Sequence, residues 1–157
     1  MRNDMQIKRI SPPEYKLVTG LFDKYRVFYK QPSDMALAEN YIKARLENNE
    51  SVIFLALAGD NTPAGFTQLY PIYSSVSAAK NWLLNDLYVD AAFRKQGIGE
   101  ALIKAAMEYA KSEGSTYVKL ETAYDNYTAQ SLYEAIGFKK QAAETGYFTY
   151  RIDVGRQ

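Results

Sequence analysis

A short basic turn with two glycines, Arg94 to Gly99, carries the side chains and backbone best suited to chemistry in this sequence. An apolar run typical of a buried strand, 83–89, precedes the turn. A helix with apolar residues every three to four positions follows it from Ile98. Glycines let a ligand approach the backbone, and the free N–H groups and dipole at a helix start attract anions. Arg94 and Lys95 would add charge-assisted hydrogen bonds, so the turn is predicted to bind phosphate groups.

Two common phosphate-binding glycine loops are excluded by the residues that follow Gly99. A P-loop ends in Gly-Lys-Ser or Gly-Lys-Thr, whereas Gly99 is followed by Glu100 and Ala101. A dinucleotide-binding fingerprint requires a third glycine or an alanine where this chain has Leu102. The turn is therefore either another class of phosphate site or simply a basic connection between a strand and a core helix.

The composition restricts the groups that could act in catalysis. The 157-residue chain contains no cysteine and no histidine, which excludes disulfides, thiolate nucleophiles, His-containing zinc sites and imidazole bases. Proton transfer would have to use carboxylates, tyrosine, lysine or water, and no metal is expected. The 19 basic and 18 acidic side chains are scattered along the chain, so attraction to an anion must be local and nucleic acid is not an expected partner.

The length and hydropathy pattern favour one soluble domain. A chain of this size suits a single domain, 1–157. No apolar run reaches the ~18 residues of a membrane-spanning helix, and the N-terminus lacks the apolar region of a secretory signal. We therefore expect a cytoplasmic protein with no membrane partner.

The periodicity of the sequence predicts a mixed α/β (α+β) protein. The predicted strands are 5–10, 51–58, 63–73, 83–89, 116–122, 138–141 and 146–154, and the predicted helices are 12–28, 34–46, 98–113 and 126–136. This order, βααβββαβαββ, gives a mixed central sheet of six to seven strands flanked by about four helices. An antiparallel meander would feed a β-α-β unit around the basic turn.

Two motifs resemble the signatures of the GNAT superfamily of N-acetyltransferases. The first is Arg-x-x-Gly-x-Gly at 94–99, after a strand that ends Leu-Tyr-Val-Asp. The second is Asn126-x-x-Ala129-x-x-Leu132-Tyr133-x-x-x-Gly137-Phe138. The resemblance covers 83–138, and the order of the N-terminal elements agrees with it. It implies the GNAT fold and an acetyl-coenzyme A-dependent N-acetyltransferase whose basic turn holds the pyrophosphate of the co-substrate.

The resemblance also implies which residues bind acetyl-coenzyme A. The pantetheine arm would lie between two splayed parallel strands, against backbone groups of 87–89. The expected cofactor-binding residues are Leu87, Tyr88, Val89, Arg94, Lys95, Gln96, Gly97, Ile98, Gly99, Glu100, Asn126, Ala129 and Tyr133. By the same resemblance Tyr133 is the general acid for the departing thiolate. A phenol pKa of about 10 against about 8.5 for a thiol makes a hydrogen bond to the developing charge the safer description. The alternative is a Tyr133 that only packs in the core.

The acceptor amine must lose a proton before it attacks. A primary amine with a pKa of about 10.4 is protonated at pH 7. Asp86 is the first candidate for the base and Glu121 the second, although either could be a structural carboxylate bound to backbone or lysine. Asn85 stands where polyamine acetyltransferases commonly carry glutamate, and it cannot act as a base. The expected substrate-facing residues are Tyr25, Tyr29, Tyr73 and Asn85, with the alternative that 25–30 is only a helix end packed on the sheet.

Three functions remain open at this point. The segment 144–153 looks like the closing strands of polyamine acetyltransferases and favours transfer to a primary amine of a small molecule, such as a polyamine or an amino acid. Attack would be direct, because no cysteine can form an acyl-enzyme. A protein or peptide acceptor would instead require a broad open groove. The third function is a module that binds coenzyme A without turnover. A homodimer is a candidate assembly by analogy with the superfamily.

Overall fold

The computed structural model describes residues 4–141 and 146–155. The chain divides into two compact units, Met1–Glu121 and Thr122–Gln157. Within the described residues, the first unit contains a five-stranded sheet and three α-helices, and the second contains one α-helix. The acetyltransferase fold predicted from the sequence thus has all four of its helices.

The sheet of the first unit follows chain order from β1 to β5. The strands are β1 Gln6–Arg9, β2 Val52–Leu57, β3 Pro63–Ser74, β4 Ala79–Val89 and β5 Val118–Lys119. The first four strands are antiparallel neighbours, and β5 lies parallel to β4. This pattern is the predicted meander followed by a β-α-β unit.

The helices are α1 Lys16–Phe28, α2 Met35–Glu47, α3 Ile98–Ser112 and α4 Tyr127–Ile136. Local sequence signals define their ends. Asp34 caps α2, since its side chain accepts the N–H of Leu37 at 3.0 Å. Gly114, with φ of 78°, follows α3 in the left-handed conformation that glycine adopts at little cost.

Helices cover both faces of the sheet in the first unit. On one face, Ile53, Leu55 and Leu57 of β2 join α1 and α2 in a buried apolar cluster. On the other face, the ring of Phe54 packs edge-on against Tyr109 of α3, with centroids 6.0 Å apart. Neighbouring residues of a strand point to opposite faces, which is why every residue of β2 is buried.

Of the five described strands, β4 and β5 differ most in length from the prediction. β4 begins at Ala79 rather than Leu83, because Ala79 pairs with Ser74 across a tight turn. β5 is shorter than predicted. Just before it, the side-chain oxygen of Asn81 accepts the N–H groups of Thr116 and Tyr117 at 2.7 and 3.2 Å, so a side chain replaces the strand ladder there.

The predicted closing strands are the main correction to the fold. Within the described residues the sheet has five strands rather than six to seven, and 138–141 and 146–154 are irregular. The rest of the segment, 142–145, lies outside the described residues. The apolar side chains of 147–154 are 85–91% exposed. Alternating apolar residues form a strand only where a neighbouring strand supplies ladder hydrogen bonds and a covered face, and no such pairing includes these residues.

Gly65 allows the start of α3 to lie close to the sheet. A Cβ at this position would lie 2.9 Å from the carbonyl oxygen of Tyr88, 3.3 Å from Cα of Val89 and 3.4 Å from Cγ2 of Ile98. A glycine inside a strand is typical of a bulge or of a close backbone approach, and both occur here, because Ala56 of β2 pairs with Gly65 whereas Leu57 pairs with Pro63.

We expect Gly65→Ala to lower the free energy of unfolding by about 1–3 kcal/mol, because the added methyl must displace backbone on β4. Urea unfolding measures this change. Gly20→Ala is the matched control, because a Cβ at Gly20 of α1 meets nothing within 4 Å. Alanine is also the better helix former, so the control should be neutral or stabilising by up to about 1 kcal/mol. Equal stabilities of the Gly65→Ala variant and the wild type would show that the close approach is not a constraint.

Candidate active site

The basic turn forms the N-terminal end of α3. Gly97 has φ of 77° and immediately precedes the helix, and Lys95 also has a positive φ, 62°. The first intrahelical bond runs from the N–H of Ala101 to the carbonyl of Gly97 at 3.1 Å. No described side chain caps this helix, so the N–H groups of its first turn are presented to a ligand. Such a left-handed residue followed by a helix start is an anion-binding arrangement.

Side chains hold the turn in place while its backbone faces outward. Ile98 is buried, and Lys95 and Glu100 are exposed. Arg94 donates its Nε–H to the carbonyl of Val89 at 3.0 Å. This bond uses one of the five N–H donors of a guanidinium, so the same side chain can both fix the turn and contact a phosphate.

The edge of β4 that faces β5 opens beside this turn. β5 pairs with β4 only at Trp82 and Leu83. At the far end of β4, the N–H of Asp90 bonds to Ala64 of β3 at 2.8 Å. Because hydrogen-bonded and non-bonded pairs alternate in an antiparallel ladder, the backbone groups of Leu87 and Val89 point away from β3, to the open side. This is the geometry that an extended pantetheine arm would require.

A cavity of about 280 Å³ lies between α1, α2 and the middle strands of the first unit. Its lining residues are Phe22, Tyr25, Arg26, Leu37, Tyr41, Tyr70, Asn85 and Asp86. Three of the predicted site residues therefore lie together here, namely Tyr25, Asn85 and Asp86.

Asp86 is the buried carboxylate of this cavity, with 2% of its surface exposed. Its Oδ2 accepts the side-chain N–H of Gln68 at 2.5 Å, and its Oδ1 accepts that of Asn85 at 2.6 Å. Burial raises the pKa of Asp86, and the hydrogen bonds from Asn85, Gln68 and Tyr25 offset only part of that rise. The group is therefore a stronger proton acceptor than an exposed aspartate.

A β-bulge on β4 places Asn85 beside this carboxylate. Gln68 of β3 pairs with Asp86, whereas the next residue, Leu69, pairs with Leu84, so Asn85 is the extra residue of the bulge. Bulges re-aim side chains next to active sites. The carbonyl of Asn85 accepts the hydroxyl of Tyr25 at 3.3 Å, which ties α1 to the bulge.

The other predicted substrate and base residues lie outside the cavity lining. Tyr29 is exposed and packs against Tyr25, with ring centroids 5.0 Å apart. Tyr73 is 73% exposed and lies under the ammonium of Lys80. Glu121 is exposed beyond the end of β5. Of the two carboxylates considered as the base, only Asp86 lines this cavity.

Sequence reasoning missed a pair of tyrosines in the cavity. The hydroxyls of Tyr41 and Tyr70 lie 2.7 Å apart. Burial and this hydrogen bond raise the pKa of Tyr70, so its phenol stays protonated and serves as a hydrogen-bond donor rather than a base. The sequence gives little indication of this pair, because Tyr41 falls at an apolar position of α2 and Tyr70 is one residue of an aromatic-rich strand.

The second unit contains the other predicted motif on α4. The side chain of Asn126 accepts the N–H of Ala129 at 3.2 Å and caps the helix, and Gly137 ends it with φ of 124°. Tyr133 is half-buried and packs edge-on against Phe138, with centroids 6.0 Å apart. The helix predicted at 126–136 is confirmed, with Asn126 as its cap and Gly137 at its end.

Neither a membrane span nor a metal site is found in the described part of the chain. None of its helices combines the length and apolar character needed to cross a bilayer. No group of three or more acidic residues there is arranged to hold a metal ion.

Asp86→Asn tests the environment of the buried carboxylate through stability. Because the folded-state pKa of Asp86 is raised, its contribution to stability is complete below the unfolded pKa of about 3.9 and is lost as pH rises through the folded pKa. The asparagine does not titrate. The free energy of unfolding of the variant minus that of the wild type should therefore increase between about pH 4 and pH 7.

Urea unfolding at several pH values measures this difference, and Asp125→Asn, at an exposed position, is the matched control. A difference for Asp86→Asn that stays flat or falls with pH would show that the carboxylate is not destabilised by burial.

The chain is similar to known acetyltransferases over most of its length. The acetyltransferase (GNAT) family matches residues 17–138. An uncharacterized N-acetyltransferase of Bacillus subtilis, YhfO, is 41% identical over 150 residues, 96% of this chain and 98% of the relative. A thialysine N-epsilon-acetyltransferase of Caenorhabditis elegans is 25% identical over 98% of this chain and 94% of its own length.

A solved structure of a probable acetyltransferase superimposes with a TM-score of 0.85 at 33% identity, covering 97% of this chain and 99% of the other. The family match spans most of the sequence, and the similarity to YhfO extends over nearly the whole of both chains. This protein therefore belongs to the GNAT family and is an N-acetyltransferase.

Proposed function

We propose that this enzyme transfers the acetyl group of acetyl-coenzyme A to a primary amine of a small molecule by direct attack. The observation that carries the proposal is the buried Asp86 in a cavity of about 280 Å³, one residue before the backbone of β4 that faces the open edge. Asp86, the proposed proton acceptor for the amine, and Leu87, whose backbone would bind the thioester arm, are thus adjacent residues of one strand.

The first unit fits the co-substrate of this family. The uncapped N-terminal turn of α3 would bind the pyrophosphate, with Arg94 and Lys95 supplying further donors. The open edge at Leu87 and Val89 would pair with the amide groups of the pantetheine arm. Both parts lie close together along the chain, because only the short 3-10 turn Ala91–Phe93 separates β4 from the basic turn.

The proposed reaction begins with deprotonation of the acceptor ammonium. Generating the neutral amine at pH 7 costs roughly 4–5 kcal/mol for a pKa of about 10.4. Asp86, whose pKa burial raises, would accept this proton directly or through water. The neutral amine nitrogen then attacks the thioester carbonyl carbon. As the C–N bond forms and the C–S bond breaks, the nitrogen loses its second proton to water and coenzyme A leaves as the thiolate. Tyr133 would donate a hydrogen bond or a proton to the leaving thiolate.

Two of the comparisons support the finer parts of the proposal. One relative is named for acetylating the ε-amine of thialysine, which favours a small amine acceptor. The family match at 17–138 includes residues of both compact units, which supports one acetyltransferase domain over 1–157.

Gly97→Val tests the phosphate assignment. The side chain would occupy the space that a phosphate needs in front of α3, so we expect the affinity for coenzyme A to fall about a hundredfold, as when one or two charge-assisted hydrogen bonds are lost. Isothermal titration calorimetry measures this affinity. Gly114→Val introduces valine at a similar φ, 78°, beyond the other end of α3, and controls for backbone strain. Normal coenzyme A binding by Gly97→Val would show that the turn is not the phosphate site.

Tyr133→Phe tests the proposed acid. Removing the hydroxyl should lower kcat by about a hundredfold, in the usual range for loss of a general acid, while the affinity for coenzyme A changes only a few fold. A thiol-release assay with a panel of amines measures turnover. Tyr127→Phe, at an exposed position on the same helix, is the matched control and should keep wild-type turnover. An unchanged kcat for Tyr133→Phe would remove this residue from the mechanism.

A further inference from the structure

We infer that the acceptor carries a carboxylate as well as its primary amine, and that Arg26 binds this carboxylate. The inference rests on the proposed function, because it concerns the same cavity. It makes the acceptor an amino acid or an ω-amino acid rather than a polyamine.

The charges that line the cavity favour a ligand with one group of each sign. Of the described residues that line it, Asp86 and Arg26 carry opposite charges and the others are neutral. Asp86 already accepts hydrogen bonds from two amide side chains. A polyamine would bring a second ammonium next to Arg26 with no second carboxylate in the lining, and like charges repel. A carboxylate at that position would be attracted instead.

Arg26 reaches the cavity because of its place on α1. Phe22, Tyr25 and Arg26 stand at i, i+3 and i+4, so they share one face of the helix. Phe22 stacks on Tyr41 of α2 with ring centroids 5.4 Å apart, which holds this face of α1 against the α2 side of the cavity. Arg26 is therefore a half-buried cation among aromatic rings, where a charge-assisted bond is less screened than at the open surface.

The carboxylate nearest to Arg26 along the helix, Asp23, has other hydrogen-bond partners. Asp23 accepts the hydroxyl of Ser33 at 2.6 Å and the N–H of Asp34 at 2.8 Å. These bonds, Ser33 first, are the main reason that the pKa of Asp23 is lowered, and the charge of Arg26 adds a smaller effect. The planar guanidinium of Arg26 has five donors and suits bidentate binding of a carboxylate, so it can serve both Asp23 and a ligand.

The size of the cavity agrees with a short acceptor. About 280 Å³ corresponds to the liquid volume of roughly nine waters. An acceptor that contacts both Asp86 and Arg26 would place its aliphatic chain against Phe22 and Leu37, which supply apolar lining. The hydroxyls of Tyr41 and Tyr70 add polar groups along the same wall.

Matched acceptor pairs test the inference with the full-length enzyme. L-Lysine and cadaverine differ only by a carboxylate, as do L-ornithine and putrescine. We expect the wild type to show a kcat/KM at least about tenfold higher for each amino acid than for its diamine. Arg26→Gln should lower kcat/KM for the amino acids by about tenfold to a hundredfold and leave the diamines unchanged or improved, mainly through KM.

Three controls separate recognition from folding. Lys16→Gln removes an exposed positive charge from the same helix, outside the cavity, and should leave both acceptor classes unchanged. Arg26→Lys keeps the positive charge but loses the planar pair of donors that binds both carboxylate oxygens. It should therefore retain only part of the preference for amino acids over diamines. Each variant should retain its affinity for coenzyme A, which shows that it is folded.

The outcomes distinguish the inference from the proposed function. The carboxylate site is wrong if the wild type has a higher kcat/KM for the diamines, or if Arg26→Gln lowers kcat/KM equally for amino acids and diamines. Either result would leave the proposed acetyl transfer to small amines unaffected. If acetyl-coenzyme A binds but no small amine in the panel supports thiol release, both the proposed acceptor class and the carboxylate site fall.

Discussion

The antiparallel pairing of β3 with β4 determines where the proposed functional groups of the first unit lie. It places Gln68 opposite Asp86, so that an amide donor meets the buried carboxylate. It also places Gly65 opposite Val89, where the missing Cβ admits the start of α3. The alternation of the same ladder turns the backbone of Leu87 towards the open edge. One register therefore fixes the positions of the proposed acceptor cavity, thioester site and anion site together.

Burial of the Asp86 carboxylate lowers the stability of the fold and raises the basicity of this group. Taking an ionised carboxyl out of water is unfavourable, and hydrogen bonds offset only part of the cost. Asn85 and Gln68 supply two such bonds to Asp86, yet its pKa remains raised. The residual destabilisation of the charged form is what makes the group a better base. In the proposed mechanism, burial would give Asp86 the basicity that an imidazole provides in other enzymes, since this chain contains no histidine.

Helix ends and the order of strand pairing were predictable from the sequence, whereas the exact register and the number of strands in the sheet were not. The glycine turn, the start of α3 and the cap at Asn126 follow from local rules for helix ends, and all are present. The bulge at Asn85 depends on the register with β3, which no local pattern specifies. Arg26 was missed because α1 was read for apolar periodicity, whereas its cavity face combines two rings with a cation. The closing segment 146–154 alternates like a strand but has no strand pairing among the described residues.

The short junction between β4 and β5 contains the chain's single tryptophan. Trp82 is one of the two β4 residues that still pair with β5, and its ring lies 5.4 Å from that of Tyr109 on α3. The indole is buried at the point where β4 and β5 begin to diverge, next to the open edge at which a thioester would bind. Its fluorescence therefore reports, without any added label, whether β4 and β5 stay paired at this point or separate further when a ligand binds at the open edge of β4.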